Sequence, residues 1–167
     1  MQVKIKKLTD YNLMGLAMEY TSDKSVRLNE KNISWMYDAE HSPIRTQIYC
    51  IELRGIPTYV SVHLTRHKVG VEHYVKSNRN KEETITRETL VNHMMIINAN
   101  ALINMARKRL CHKADAQTVY VMECIKAELI KVDSSLAKHL VPECLYRGNC
   151  KELYSCKYMK NGRNSIL

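Results

Sequence analysis

Polar and apolar positions alternate at the start of the chain. Val3 and Ile5 fall on one face and Lys4 and Lys6 on the other, so residues 1–7 predict a short half-buried strand. Thr9 or Asp10 then offers a cap for a helix carrying Leu13, Met14, Leu16, Ala17 and Met18. Residues 21–31 are polar and charged and read as a loop. The run QIYCIEL, residues 47–53, predicts a buried strand ended by Gly55 and Pro57. Over residues 59–68, Val60, Val62 and Leu64 recur at period two, which says strand. Pro57 just before them equally suits the first turn of a helix, so the pattern leaves both open. Residues 77–88 read as an exposed loop leading into a helix.

Longer periods dominate the second half. Residues 90–110 contain neither Pro nor Gly and set Val91, Met94, Met95, Asn98, Leu102, Met105 and Arg109 along a helical stripe. Residues 116–140 predict a second long helix through Val119, Met122, Ile125, Leu129 and Leu136, with Pro142 as its stop. The sum is an α+β chain with a small mixed sheet and long helices. One domain covers residues 1–156, and a basic tail spans 157–167.

Composition adds little to that architecture but narrows the partner. Of 167 residues, 45% are apolar and 26% charged, as in ordinary globular domains. Lys and Arg outnumber Asp and Glu by 26 to 17, a net +9 that points to an anionic partner: nucleic acid, nucleotide phosphate or an anionic cofactor. No apolar run approaches the ~18–20 residues of a membrane span, so no membrane partner is expected. The N-terminal residues lack the apolar stretch of a secretion signal, so the expected location is cytoplasmic and the six cysteines are expected as reduced thiols.

Three clusters carry candidate chemistry. Arg66-His67-Lys68, followed by His73, Lys76, Ser77 and Arg79, resembles a phosphate cradle, with a solvated basic face as the plainer alternative. Asn98 and Asn104 lie on the otherwise apolar helix, with Arg109 about a turn further on. A buried amide must be hydrogen-bonded, so these residues face either a ligand or a neighbouring helix. Cys144, Cys150 and Cys156 recur at longer gaps than the two to four residues usual between zinc ligands. Cys111 and His139 can complete such a set, but no metal is expected. Neither a Gly-rich phosphate loop nor a serine elbow occurs, which excludes a classical dinucleotide domain.

Taken together, these stretches resemble the flavin-dependent thymidylate synthases, the ThyX family. Ser42-Pro43-Ile44, a strand, and Arg54-Gly55-Ile56 are similar to the family's SPLEH-strand-EGIS segment. His63-Leu64-Thr65-Arg66-His67-Lys68 looks like its QLVRHR, which opens the signature R-H-R-x-x-S-x-N-E-x-S-x-R. The run from Asn98 through Arg109 resembles its N-A-R-S/A-L-x-N/H-F-x-x-x-R helix without a gap, and Leu110-Cys111-His112-Lys113-Ala114 continues it. Pro142-Glu143-Cys144, Gly148-Asn149-Cys150-Lys151-Glu152 and Ser155-Cys156 are similar to the tail of some members. The pieces span residues 42 to 156 in the family's order.

The resemblance implies a homotetramer that binds FAD and converts dUMP, or a related pyrimidine nucleotide, to dTMP. NADPH and methylenetetrahydrofolate would be co-substrates, and nucleic acid is not the expected partner. By position, Arg66, His67 and Lys68 would contact the flavin's anionic part, with Asn98 and Asn104 on the same cofactor. Arg109 would be catalytic, holding the pyrimidine and stabilising charge that develops on it. Ser77 and Arg79 would hold the nucleotide phosphate, and His63 stands where the family has Gln. The chain departs at Val71, where the family has Ser, at His73-Tyr74, where it has Asn-Glu, and at Arg45-Thr46, where it has Glu-His. A homologue that binds nucleotide or flavin but has lost the synthase reaction is the alternative.

Overall fold

The alternation at the N-terminus forms β1 (Gln2–Lys7), and the apolar run near residue 50 forms β2 (Ile48–Pro57). A computed structural model of the chain describes residues 1–76, 84–156 and 158–159. α1 (Tyr11–Ser22) starts at Asp10, whose carboxylate accepts from the Leu13 N–H. Inside the stretch read as a loop, α2 (Glu30–Asp38) begins at a reciprocal cap, in which the Asn29 and Asn32 side chains each accept from the other's backbone N–H. The signal was an Asn three residues from another Asn, a variant of the Ser/Thr-to-Glu/Gln capping box. A 3₁₀ turn (Ser42–Thr46) leads into β2.

Most of residues 59–68 settles as a helix, which ends at Thr65. α3 (Thr58–Thr65) follows Pro57 directly and buries Val60, Ser61 and Leu64. Residues 90–110 are a correction: they do not form one helix. Their first half is β4 (Leu90–Asn98), and only then does α4 (Ala99–Arg109) begin. Val91, His93, Met95 and Ile97 are buried at strict alternation, and β4 is hydrogen-bonded on both sides. The apolar run fits a helix stripe and a strand face equally well, and only the flanking strands decide. Asn98 marks the switch, since its side chain caps α4 by accepting from the Ala101 N–H at 2.9 Å.

β3 (Val71–Val75) completes a four-stranded sheet of order β1-β2-β4-β3. Every pairing is antiparallel, with Ile51 opposite Ile5 and Met95, and Val71 opposite Ile97, so the sheet is of one kind rather than mixed. Tyr49, Ile51, Leu53, Met95 and Ile97 are fully covered, whereas Cys50, Met94 and Ile96 on the other face are half-buried. At the turn before β3, Gly70 has φ +74°, and a Cβ there would stand 2.4 Å from Asn98 Nδ2. Only glycine fits that approach of the turn to the start of α4.

The second long helix is also shorter than its pattern. α5 (Ala116–Val132) ends at Asp133, which caps α6 (Ser134–Ala137) by accepting from the Leu136 N–H. Asp133 has a fully buried side chain and also accepts from Tyr49 Oη at 2.6 Å, Lys7 Nζ at 2.9 Å and Tyr37 Oη at 3.3 Å. Burial alone would push its carboxyl up, but the Tyr49, Leu136 and Lys7 donors outweigh that and hold it below the ordinary carboxylate value. α7 (Glu143–Arg147) follows Pro142 and buries no residue. Among the described residues, no helix is long and apolar enough to cross a membrane.

Candidate functional site

The end of α3, the end of α4 and the start of α5 meet. α3 carries His63 in its last turn, with Arg66 as its C-cap and His67 next. Arg109 is the last residue of α4, and its Nε donates to His67 Nε2 at 3.1 Å. At the start of α5, Asp115 accepts from both the N–H and the hydroxyl of Thr118, so that hydroxyl has no second proton to give. The 2.8 Å contact between Thr118 Oγ1 and His63 Nδ1 therefore has His63 as donor, and His63 Nε2 is left as an acceptor.

A second set of bonds braces the same corner. His73 Nε2 lies 2.7 Å from the His67 carbonyl oxygen and must donate to it. His73 Nδ1 is then an acceptor, 2.9 Å from His93 Nε2, and His93 Nδ1 is 3.0 Å from Ser61 Oγ. His93 is 1% exposed.

Excess positive charge sets the electrostatics. Burial, then Arg109, His73 and Lys108, pulls the His67 pKa down to about 4. Burial and His73 bring His93 down to about 4. Burial, with Arg109 and Arg66, also lowers His63. Burial and Arg66 lower Arg109, although a guanidinium stays charged near neutrality. Both rings that face Arg109's end of the site are thus neutral acceptors. Among the described residues, neither Arg66 nor Arg109 has a carboxylate partner. A half-buried guanidinium beside another, without an anion, is a standing site for one. The donor set therefore fits a phosphate-bearing ligand.

The other expected residues divide. Lys68 is exposed beside His67. Asn98 is committed to capping α4, and its amide packs on the Gly70 turn. Asn104 is exposed rather than buried, and its side chain accepts from Arg107, which pairs with Glu40. The single helix expected to carry both Asn98 and Asn104 is divided between β4 and α4, with Asn98 at the junction. Ser77, Arg79 and most of the 157–167 tail lie outside the described residues. A groove of about 690 Å³ runs past Arg54, His73, Tyr74, Lys76 and Asn92, on the strand that leads to Ser77. Cys111, Cys144, Cys150 and Cys156 line a small cavity of about 60 Å³, while His139 lies apart against Asp38. Among the described residues, no three His, Cys, Asp or Glu side chains are grouped to hold a metal ion.

No protein-family model and no curated protein matches the sequence. Solved structures do match the fold. Thymidylate synthase X (ThyX) from Helicobacter pylori, solved with FAD and dUMP, superposes with a TM-score of 0.71 at 14% identity, over 84% of this chain and 99% of that one. A second structure of the same H. pylori enzyme with FAD and dUMP gives 0.71 at 15% identity, over 84% and 100%. The UMP/dUMP methylase PolB from Streptomyces cacaoi, bound to 5-Br dUMP, gives 0.64 at 11% identity, over 83% and 94%. The chain has a ThyX-like fold.

Within this ThyX-like fold, the two runs that carried the sequence resemblance, 63–68 and 98–109, meet through the Arg109–His67 bond. Sequence reasoning missed Ser61, His93, Asp115 and Thr118. A signal for His93 existed, because it alternates with Val91 and Met95, but it is legible only once residues 90–98 are read as a strand.

Proposed function

We propose that the chain is a flavin-dependent methylase of the thymidylate synthase kind, acting on dUMP or a related pyrimidine nucleotide to give dTMP or its counterpart. FAD would be its cofactor, with NADPH and methylenetetrahydrofolate as co-substrates, in a homotetramer whose subunits share each site. The observation that carries the reading is the half-buried Arg109, aimed by a neutral His67 and without a carboxylate partner among the described residues, in a fold shared with enzymes solved with dUMP or its bromo analogue.

Bound FAD would supply the redox chemistry. Arg66, His67 and Lys68 hold its anionic part, and the expected contacts of Asn98 and Asn104 belong to the same proposal. Arg109 gives its Nε–H to His67, which leaves four terminal N–H donors for the pyrimidine and for negative charge developing on it. The His63 Nε2 lone pair faces the same corner as an acceptor. Ser77 and Arg79 hold the nucleotide phosphate in this scheme.

The test is the visible spectrum of the protein after incubation with FAD and desalting. A retained flavin band that shifts on adding dUMP is the expected result, and a colourless protein overturns the reading. His73-Tyr74 in place of the family's Asn-Glu favours one alternative, a flavin and nucleotide binder without turnover. NADPH oxidation that depends on dUMP separates the two, because a binder shows none.

A further inference from the structure

We propose that His73 is a positioning residue: backed by His93 and Ser61, its Nε2–H holds the His67 carbonyl and so fixes the ring that aims Arg109. The chain of bonds runs from Ser61 on α3 to His93 on β4, to His73 on β3, and back to His67 after α3. It closes the α3–β3 connection against the sheet at the point from which His67 receives the Arg109 Nε–H.

Proton bookkeeping gives the chain a single direction. The His67 carbonyl can only accept, so His73 carries its proton on Nε2. His73 Nδ1 then accepts from His93 Nε2–H, and His93 Nδ1 accepts from the Ser61 hydroxyl. Both nitrogens of the His73 ring and both nitrogens of the His93 ring are used. The chain ends on a carbonyl oxygen, which cannot pass a proton onward. Its role is therefore to hold geometry rather than to move protons.

His93 also occupies an interior position on a strand where its buried neighbours Val91, Met95 and Ile97 are all apolar. An apolar side chain would serve packing as well there, whereas a buried imidazole is tolerable only with both nitrogens bonded. His73 stands where the resemblance aligns the family's Asn-Glu pair, so this chain holds the corner with different chemistry. The consequence for ligand binding rests on the proposed function. The consequence for Arg109 itself does not.

The experiment compares H73Q with H73N. A glutamine amide nitrogen reaches the place of Nε2 and keeps the donor on the His67 carbonyl, while an asparagine amide reaches only the place of Nδ1 and loses it. The first readout needs no ligand: the Arg109 Nε–H signal and the histidine ring nitrogens in ¹⁵N–¹H NMR. Wild type is expected to show a protected Arg109 Nε–H with His73 and His93 as Nε2–H tautomers. H73Q keeps that protection, and H73N exchanges at least about tenfold faster. Equal protection in both variants overturns the inference, as does an Nδ1–H tautomer at His73. The second readout is dUMP affinity of the flavin-loaded protein, expected within about twofold of wild type for H73Q and about five- to tenfold weaker for H73N, the worth of roughly one hydrogen bond. A wild type with a protected Arg109 but no flavin or dUMP binding refutes the proposed function and leaves the positioning role standing. If H73N does not fold, H93Q against H93N makes the same comparison one link back.

Discussion

Replacing Arg109 with alanine separates a binding role from a structural one. Among the described residues the side chain makes one hydrogen bond, at 3.1 Å to a neutral ring, and no ion pair. One such bond is worth about 1 kcal/mol net, and removing repulsion from Arg66 offsets part of that. The expected stability loss is therefore at most about 1 kcal/mol. A charged donor taken from a nucleotide costs more, about 1.5–3 kcal/mol, or roughly 10- to 150-fold in affinity. His67 reports the same change from the other side. Burial keeps its pKa low, but Arg109 is the next largest cause, so R109A lets it rise from about 4 toward the ordinary 6.5. Urea denaturation, an NMR titration of the His67 ring and dUMP titration of the flavin-loaded protein measure the three quantities. Flavin content should stay near wild type. If flavin and nucleotide binding fall together and the urea midpoint drops by the equivalent of about 3 kcal/mol, Arg109 holds the fold together and its assignment to the nucleotide is wrong.

Two further perturbations test the frame around the site. Asp133→Ala leaves Lys7, Tyr37 and Tyr49 without their common acceptor in a fully buried place, and should cost about 3–5 kcal/mol in urea denaturation; a loss below about 1 kcal/mol would show that the cluster reorganises cheaply. In acid, the buried His93 and the half-buried His67 set the sign: both have folded values near 4, below the ordinary 6.5, so the unfolded chain binds more protons between those limits. Stability is full above about pH 6.5 and falls as pH drops toward 4, by roughly 3 kcal/mol at most for His93 alone. H93Q should flatten that stretch of the curve, and an unchanged slope would mean that His93 is not held neutral.

Residues 1–7, 47–53 and 99–109 declare themselves through local patterning, and the chemistry of the site was also partly legible. Arg66, His67 and Arg109 were candidates as residue types that bind anions, and they do converge. Asn104 reads as a buried polar group of a long helix, but it lies on the exposed side of a helix that begins only at residue 99. Val91 and Met95 suit a helical period and a strand period alike, whereas Met94 and Asn98 join them on a helix but fall on the opposite face of a strand. The backbone of residues 90–98 becomes a strand because β2 and β3 satisfy its hydrogen bonds from both sides, at sequence separations from about 20 to 50 residues. His93 and Ser61 were invisible for the same reason, since their bond joins a helix to a strand 32 residues away. Local order, the charge excess and the inventory of cationic and imidazole groups are properties of the sequence, written in side-chain chemistry and near-neighbour spacing. Which of those groups lie buried, which ring nitrogen carries the proton and which cation stands without an anion were decided by tertiary packing, because desolvation and hydrogen-bond pairing depend on neighbours distant along the chain.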